Sequence, residues 1–566
     1  MKRLFLTVIC VLTMTSSFAQ TMPKWVAKAS KAVFSVITYS ADNKILNTGN
    51  GFYIDEDGTA VSDYTLFKDA HHAVIVTSDG KEVAVESILG ANYLYDVIKF
   101  KTAPQKKLVF LKSKAEGATI DAPVYLLPYS TQKAKTIESG KVLAADSISQ
   151  KALYYTLDIP SSDKMISCPI MSAEGEVVGL LQKNSGEDKE KSYAIGIEFA
   201  HKLSITALSG QDNALRAIGI KKALPDDEDQ AQVYLFMNAG KVEGKVYLEL
   251  LDDYIAKFPN SVEGYSRRAA YYASENTSAA NELAQKDMDM MIKMVNDKDI
   301  PHYQIAQLMY SYALQPEDKR SNPEWTLQSA LDEVNQAIKI KAEGLYYQTK
   351  ADILFAMKDY KQALEAYKEV NKTALSSAAS FYSAAKTLEL IEGSDKKEVI
   401  ALMDSAITKF KNIKSKESAP YFLERARLLT EVRDFRHAVL DYNSAYDALM
   451  GNVSSEFYFL RHNAELEAKM YPQAIDDINK AVEITPSDIE LWLVKAGTHI
   501  RVNQLDEAKQ AIEKVLTLDA NNAAAYRMLG FIQVQQKNAR EGIKNLEKAK
   551  ELGDPVVDQL LEKYKK

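Results

Sequence analysis

Two kinds of hydrophobic pattern divide the chain. Between about residues 25 and 208, short runs rich in β-branched and aromatic residues, such as Ala32–Tyr39, alternate with turn signals such as Asp57-Gly58. Regularly spaced short strands with such turns are typical of an all-β barrel or sandwich. Beyond residue 229 glycine and proline become rarer, and apolar residues recur at helical spacing to the end of the chain. The pattern therefore predicts an all-β first half and an all-α second half.

The composition between these halves indicates a linker. Residues 209–228 are rich in glycine, aspartate and lysine and lead into the acidic run Asp226–Asp229. A chain of 566 residues is also too long to fold around one core. We predict a β domain over 20–208, a linker over 209–228 and a helical domain over 229–566.

Small or compact residues recur in the helical half with a period near 34. One series is spaced by 36, 34 and 34 residues: Ala426, His462, Ala496 and Gly530. A second series follows each of these twelve residues later: Ala438, Ala474, Ala508 and Gly542. Two helices approach closely only where side chains are small, and this period resembles the tetratricopeptide repeat. The resemblance implies about seven or eight helix pairs in an α-solenoid, with the first helices lining a concave groove.

Three segments of the β half resemble the HtrA-type branch of the trypsin-like serine proteases. Gly49–Thr65 reads GNGFYIDEDGTAVSDYT and is similar to the family's G-S-G-F-I-I-x-x-D-G-x-I-V-T-N-x-H, whose histidine is the general base. Tyr95–Phe100 is similar to the segment with the aspartate that orients this base. Lys164–Pro169, KMISCP, aligns with the nucleophile motif G-N-S-G-G-P. The resemblance implies a trypsin-like double β-barrel.

The catalytic positions depart from the family's pattern. The base position holds Thr65 and the nucleophile position holds Ile166, so only Asp96 of the triad remains. Threonine does not accept a proton at neutral pH, and isoleucine has no nucleophilic atom. Lys164, Ser167 and Cys168 replace glycines of the oxyanion turn, whose conformation we expect a side chain to disfavour. The resemblance therefore implies a pseudoprotease with no catalytic residues.

A displaced active site is the alternative. Ser167 or Cys168 would then act as the nucleophile, with His71 or His72 as the base, and the domain would be an active serine or cysteine endopeptidase of trypsin fold. These histidines fall six and seven residues beyond the base position, at the start of the next predicted strand. Neighbouring residues of a strand point to opposite faces, so at most one of them faces the core.

The repeat resemblance also implies a set of groove residues. The candidates for contact with a protein or peptide partner lie on first helices: Phe355, Arg427, Asn463, Arg501, Arg527 and Phe531. Arginines beside aromatic residues suit a peptide or helix that carries carboxylates. The Lys–Asn clamp of chaperone-binding repeats is missing, because its places hold Phe459 with Asn463, or Leu493 with Gly497. The sequence therefore does not support binding of a chaperone tail.

The N-terminus predicts export. Lys2 and Arg3 precede an apolar stretch, and a small-x-small site ends at Ala19, which together describe a signal peptide over residues 1–19. Cys10 leaves with this segment, so Cys168 has no partner for an intrachain disulfide. We expect a periplasmic or secreted protein without a transmembrane segment.

Charge and composition narrow the partner. The net charge of −7 argues against nucleic acid, and seven histidines with one mature cysteine argue against a metal site. The sequence contains no signature of a phosphate loop or of any cofactor. We expect a non-catalytic scaffold that binds an envelope protein through its repeats. A further alternative is that the first domain only caps or solubilises the superhelix.

Overall fold

The structure, a computed structural model, describes residues 22–133, 135–148, 152–184, 186, 188 and 190–564. The predicted signal peptide over residues 1–19 lies outside the described residues. The chain forms two compact units, residues 1–268 and residues 269–566.

The first unit contains two closed antiparallel barrels of six strands each. In spatial order the barrels are β1-β2-β3-β6-β5-β4 and β7-β8-β9-β12-β11-β10. The strands are β1 Val33–Tyr39, β2 Ile45–Tyr53, β3 Thr59–Ser62, β4 His72–Val76, β5 Glu82–Asn92, β6 Val97–Thr102, β7 Pro123–Leu126, β8 Glu138–Ser147, β9 Leu153–Leu157, β10 Pro169–Ser172, β11 Val177–Gln182 and β12 Ser192–Gly196. This arrangement confirms the predicted double barrel.

One hydrophobic core joins the two barrels. It includes Val33 and Phe52 of the first barrel together with Val177 and Leu180 of the second, all fully buried. Every residue of β11 is buried, whereas β1 alternates between buried and partly exposed positions along most of its length. Loops that follow strands of both barrels are therefore held at fixed positions relative to each other.

Residues 209–228, which the composition predicts as a linker, pack against the first barrel. The backbone of this segment bonds to β5, because the Ile88 N–H donates to the Lys221 carbonyl at 2.8 Å and the Ala223 N–H donates to the Ile88 carbonyl at 2.9 Å. Leu215 and Ile220 are buried. The segment is ordered because its few apolar residues pack on the barrel. This packing depends on residues distant in sequence, so the polar composition of the segment does not predict it.

The described residues also form 23 helices, of which α5–α23 make up the helical half of the chain. They are α1 Val26–Ala29, α2 Tyr64–Phe67, α3 Ile197–Lys202, α4 Asn213–Arg216, α5 Glu228–Asn238, α6 Gly244–Lys257, α7 Val262–Glu275, α8 Ser278–Met294, α9 Asp299–Ala313, α10 Leu327–Ile340, α11 Gly344–Ala356, α12 Tyr360–Val370, α13 Ala378–Glu389, α14 Lys396–Thr408, α15 Ala419–Glu431, α16 Phe435–Ala448, α17 Ser455–Glu467, α18 Tyr471–Ile484, α19 Ile489–Arg501, α20 Leu505–Leu518, α21 Ala523–Gln535, α22 Ala539–Glu551 and α23 Val557–Tyr564. In the part of the chain that the structure covers, no helix combines the length and the apolar character needed to cross a membrane.

The small residues of the repeat lie where paired helices touch. Ala426 and Ala438 of the pair α15–α16 are fully buried, as are Ala496 and Ala508 of the pair α19–α20. Between α21 and α22 the approach is closer still, since a Cβ on Gly530 would lie 2.7 Å from the carbonyl oxygen of Gly542. The predicted α-solenoid of helix pairs is confirmed.

His462 occupies one of these small positions without opening the interface. Its ring is fully buried, with Nδ1 2.7 Å from the carbonyl oxygen of Ala474 and Nε2 3.2 Å from Oγ1 of Thr498. Burial lowers the pKa of His462, so the ring is held in its neutral form.

Candidate functional site

The base position of the protease motif is bonded to the remaining triad aspartate. Thr65 lies on α2, and both its backbone N–H and its hydroxyl donate to Oδ1 of Asp96, at 2.7 and 2.8 Å. Asp96 directly precedes β6. The carboxylate that orients an imidazole in the protease family thus binds a threonine here.

The nucleophile position lies in a short turn after the 3-10 helix Asp163–Met165. Ile166 is partly buried there, and no atom of its side chain can attack a carbonyl. The following Ser167 has a φ of 65°, in the left-handed region that favours glycine. The sequence predicts that a side chain disfavours such a conformation, and Ser167 adopts it nevertheless.

A buried hydrogen bond compensates for the strain at Ser167. The Ser167 hydroxyl donates to Oδ1 of Asp63 at 2.6 Å, and both residues are buried. A left-handed conformation costs roughly 1–2 kcal/mol for a residue other than glycine, which a hydrogen bond to a buried carboxyl group offsets. Asp63 follows β3 of the first barrel, so this bond crosses between the barrels.

Asp63 is an unusual carboxyl group. Burial raises the pKa of Asp63 to about 6, the nearby charge of Asp96 adds to this effect, and the bond from Ser167 opposes it. Near neutral pH the folded protein therefore holds a carboxyl group that ionises only at a cost in stability.

Asn50 fixes the backbone of the same turn. Its side-chain amide donates to the carbonyl oxygens of Lys164 and Ile166, at 2.9 Å each. The Ile166 N–H, which would contribute to an oxyanion hole, faces the carbonyl oxygen of Asp163 at 3.5 Å. An oxyanion hole requires amide hydrogens aimed at the reacting oxygen, and this turn directs the Ile166 amide to its own chain.

The alternative nucleophiles are enclosed. Cys168 and Ser167 are fully buried, and burial raises the pKa of the Cys168 thiol to about 12, so it stays protonated. His72 begins β4 and stacks on Tyr39 with ring centroids 4.7 Å apart, while His71 is exposed. Among the described residues, no hydrogen bond joins either histidine to Ser167 or Cys168.

Sequence reasoning missed Asn50 and Asp63. Both lie inside the matched motif, where Asn50 stands in place of the family's serine and Asp63 in place of its asparagine. These two departures from the family's pattern were the sequence signal that could have identified Asn50 and Asp63. Their contacts with residues 164–167 join positions more than 100 residues apart, which no local pattern reveals.

The uncharged groove candidates lie at partly accessible positions of first helices. Phe355 near the end of α11 is 38% exposed and meets Tyr360 edge-to-face, with ring centroids 5.5 Å apart. Asn463 on α17 and Phe531 on α21 are partly buried. Each of the three side chains is therefore at least partly accessible to a partner.

Arg427 is partly exposed, but its charge is paired with acidic side chains of the protein itself. Its guanidinium pairs with Glu389 at 2.7 Å, with Glu424 at 2.6 Å and with Glu431. Burial raises the pKa of Glu389, but three nearby cations outweigh this effect and lower the pKa to about 2: Lys386, Lys396 and Arg427. A partner carboxylate would have to displace these acids to reach Arg427.

The other two candidate arginines are paired as well. Arg501 contacts Glu467 at 2.8 Å and so joins α19 to the preceding first helix, α17. Arg527 contacts Asp554 at 2.9 Å, and the Asp554 side chain is almost fully buried. The expectation that these arginines bind partner carboxylates stays a prediction, and the structure gives each of them an internal acid.

The described residues contain no group of three or more histidine, cysteine, aspartate or glutamate side chains that is placed to hold a metal ion.

Comparison with known proteins identifies the repeats. Models of the tetratricopeptide repeat match residues 345–374 and 465–530. Mouse sperm-associated antigen 1 is 29% identical over 106 residues, which are 19% of this chain and 11% of that protein. The Hsp70-Hsp90 organizing protein 3 of Arabidopsis thaliana is 24% identical over 251 residues, 39% of this chain and 44% of that protein. The chain thus spans less than half the length of either relative.

A solved structure matches part of the chain. The serine endoprotease from Yersinia pestis has 19% sequence identity and a TM-score of 0.28, covering 31% of this chain and 62% of that one. The two closed six-stranded barrels are themselves the arrangement expected from the protease resemblance. This chain carries tetratricopeptide repeats in its helical half, preceded by a double barrel of the trypsin-like type.

Proposed function

We propose that this protein is a non-catalytic scaffold of the cell envelope that binds a protein or peptide partner through its repeats. The observation that carries the proposal is the turn at residues 164–167. Ile166 replaces the nucleophile, Asn50 fixes the turn's carbonyl groups and Asp63 holds Ser167 in a buried bond. These contacts support the proposal because they stabilise a turn that has isoleucine at the nucleophile position and directs the Ile166 amide to its own chain.

The repeats support the binding half of the proposal. Stacked helix pairs present an extended surface that suits a peptide or a helix. Relatives with the same repeats include an Hsp70-Hsp90 organizing protein and an Hsp70/Hsp90 co-chaperone, whose names refer to other proteins that they serve. We propose the same general role of protein binding here. The aromatic residues at 459 and 355 and the internally paired arginines favour a partner bound by shape and apolar contact over a chaperone tail.

The envelope location rests on the predicted signal peptide at residues 1–19. Fusion of residues 1–30 to a reporter enzyme that is active only after export tests this part. Export of the reporter and a mature N-terminus at Gln20 support the location, whereas a reporter retained in the cytoplasm contradicts it.

Partner capture with matched variants tests the binding role. The mature chain is used as bait in an envelope extract of the producing cell, and Phe355→Ala, Asn463→Ala and Phe531→Ala are compared with Leu440→Ala. Leu440 is a suitable control because it is 59% exposed on a second helix, α16. We expect the groove variants to lose most of a captured protein that the control retains. Equal capture by all four variants contradicts binding through the first helices.

A further inference from the structure

A cavity of about 710 Å³ lies within the first unit, away from the protease turn. Residues 209–222, which follow the barrels, form one wall, and helices α5 and α6 with the turn between them form the other. Its size is within the range of 300–1,000 Å³ that is usual for small-molecule sites.

The cavity is strongly basic. Its lining includes Arg216, Lys221, Lys222 and Lys241, against a single acidic side chain, Glu249. Of these cations only Lys221 has an acidic partner in the described part of the chain, Asp253 at 2.5 Å. Three cations therefore face or flank the cavity without a carboxylate to neutralise them.

Lys222 is the most constrained of these cations. Its backbone forms a bridge to Ile88 of β5, and its ammonium group donates to the carbonyl oxygen of Ile218. Burial lowers the pKa of Lys222 to about 8. A half-buried ammonium without a counter-ion gains most from an anion that enters the cavity.

The opposite wall combines an apolar patch with the polar side chains Asn238, Lys241 and Glu249. Tyr234 of α5 and Leu250 of α6 are buried there, whereas Val246 of α6 is 43% exposed. A ligand that covers Val246 and its neighbours removes apolar surface from water, which contributes roughly 25 cal/mol per Å².

We propose that this cavity binds an organic carboxylate with an apolar body, its carboxylate on Lys222 and Arg216 and its body against the wall of α5 and α6. One wall supplies cations for the ligand's carboxylate, and the other wall supplies an apolar face for the ligand's apolar body. Fatty acids and peptide C-termini with an apolar last residue share this chemistry. The site is independent of the repeat groove.

Calorimetric titration of the full mature chain tests the proposal with four probes. They are dodecanoate, dodecanol, acetyl-leucyl-leucine as the free acid, and the same peptide as its C-terminal amide. We expect at least one carboxylate to bind at least tenfold more tightly than its uncharged counterpart. The tighter carboxylate identifies the source as lipid or peptide. Because an anion restores the pKa of Lys222, binding near pH 8 should also take up protons, which titrations in buffers of different ionisation enthalpy measure.

Two variants localise the site. Lys222→Met removes the charge and keeps the length of the side chain, and it should weaken the carboxylate at least tenfold and abolish the proton uptake. Lys245→Met, an exposed lysine of α6 outside the cavity lining, is the matched control and should bind as the wild type does. The proposal is overturned if neither carboxylate binds more tightly than its uncharged counterpart, if neither carboxylate binds at all, or if Lys222→Met leaves the affinity unchanged.

Discussion

Replacement of Asp63 by asparagine should make the barrel unit more stable, and increasingly so as the pH rises. The folded pKa of about 6 lies above the ordinary value of 3.8. The contribution of the protonated group to stability is therefore complete below pH 3.8 and is lost as the pH rises through 6. At 1.36 kcal/mol per pKa unit, the raised pKa of Asp63 lowers the free energy of unfolding by about 3 kcal/mol at pH 8 and by about 1 kcal/mol at pH 4.5, because the carboxyl group ionises more readily in the unfolded chain. The amide side chain of the Asp63→Asn variant stays neutral and still accepts the bond from Ser167.

The single mature cysteine provides the assay. Cys168 is fully buried next to Ser167, so it reacts with a thiol reagent only when the barrel unit opens. Labelling by dithiodipyridine, normalised to the unfolded chain at each pH, gives the free energy of opening within the full-length mature protein. The advantage of Asp63→Asn over the wild type should increase by about 2 kcal/mol between pH 4.5 and pH 8.

Two further variants control this prediction. Asp42→Asn replaces an exposed carboxylate of the first barrel and should show no such increase. Ser167→Ala removes the hydrogen bond that lowers the pKa of Asp63, so the loss of stability with rising pH should become larger. If Asp63→Asn changes the opening free energy by the same amount at both pH values, Asp63 is not the strained group that we infer.

Three other predictions concern the repeats. Arg461→Leu should destabilise its repeat by about 3–5 kcal/mol, measured by urea unfolding followed by circular dichroism. The variant leaves Asp477, which Arg461 bonds at 2.6 and 2.8 Å, buried without its partner, and an effect below about 1 kcal/mol would contradict this reasoning. Gly530→Ala should cost about 1–3 kcal/mol by the same measurement, because the new Cβ would meet the carbonyl of Gly542; a stabilised variant would refute the close approach. Since burial lowers the pKa of His462, unfolding free energy should fall as the pH drops below about 6.5, and His462→Gln should lose this component; identical pH profiles would argue against it.

The repeats were predictable because their signal is local and recurrent. The small positions Ala426 and Ala496 mark helix contacts at a fixed period, and each is fully buried as the pattern requires. His462 shows the limit of this reasoning, since a compact polar ring replaces a small residue only because Ala474 and Thr498 accommodate its nitrogens.

The assignment of Thr65 and Ile166 to triad positions stays a prediction of the motif alignment, and the contacts that hold the turn were not predictable from the sequence. Thr65 and Ile166 stand at positions fixed by the motif alignment. The left-handed Ser167 is bonded to Asp63, which is distant in sequence, so the motif shows that glycine is missing here but not which contact accompanies its replacement. The ordered structure of residues 209–228 was likewise not predictable, because it depends on packing against β5, which is distant in sequence.

The central claim is that the barrel unit does not cleave peptides. Purified mature protein is incubated with fluorescent casein and, separately, with a fluorophosphonate probe, beside an active trypsin-like protease as a positive control. We predict no release of fluorescence above buffer and no labelling of the chain. Cleavage that disappears in Ser167→Ala or in Cys168→Ala would contradict the account, because it would mean that a side chain enclosed in this structure acts as a nucleophile.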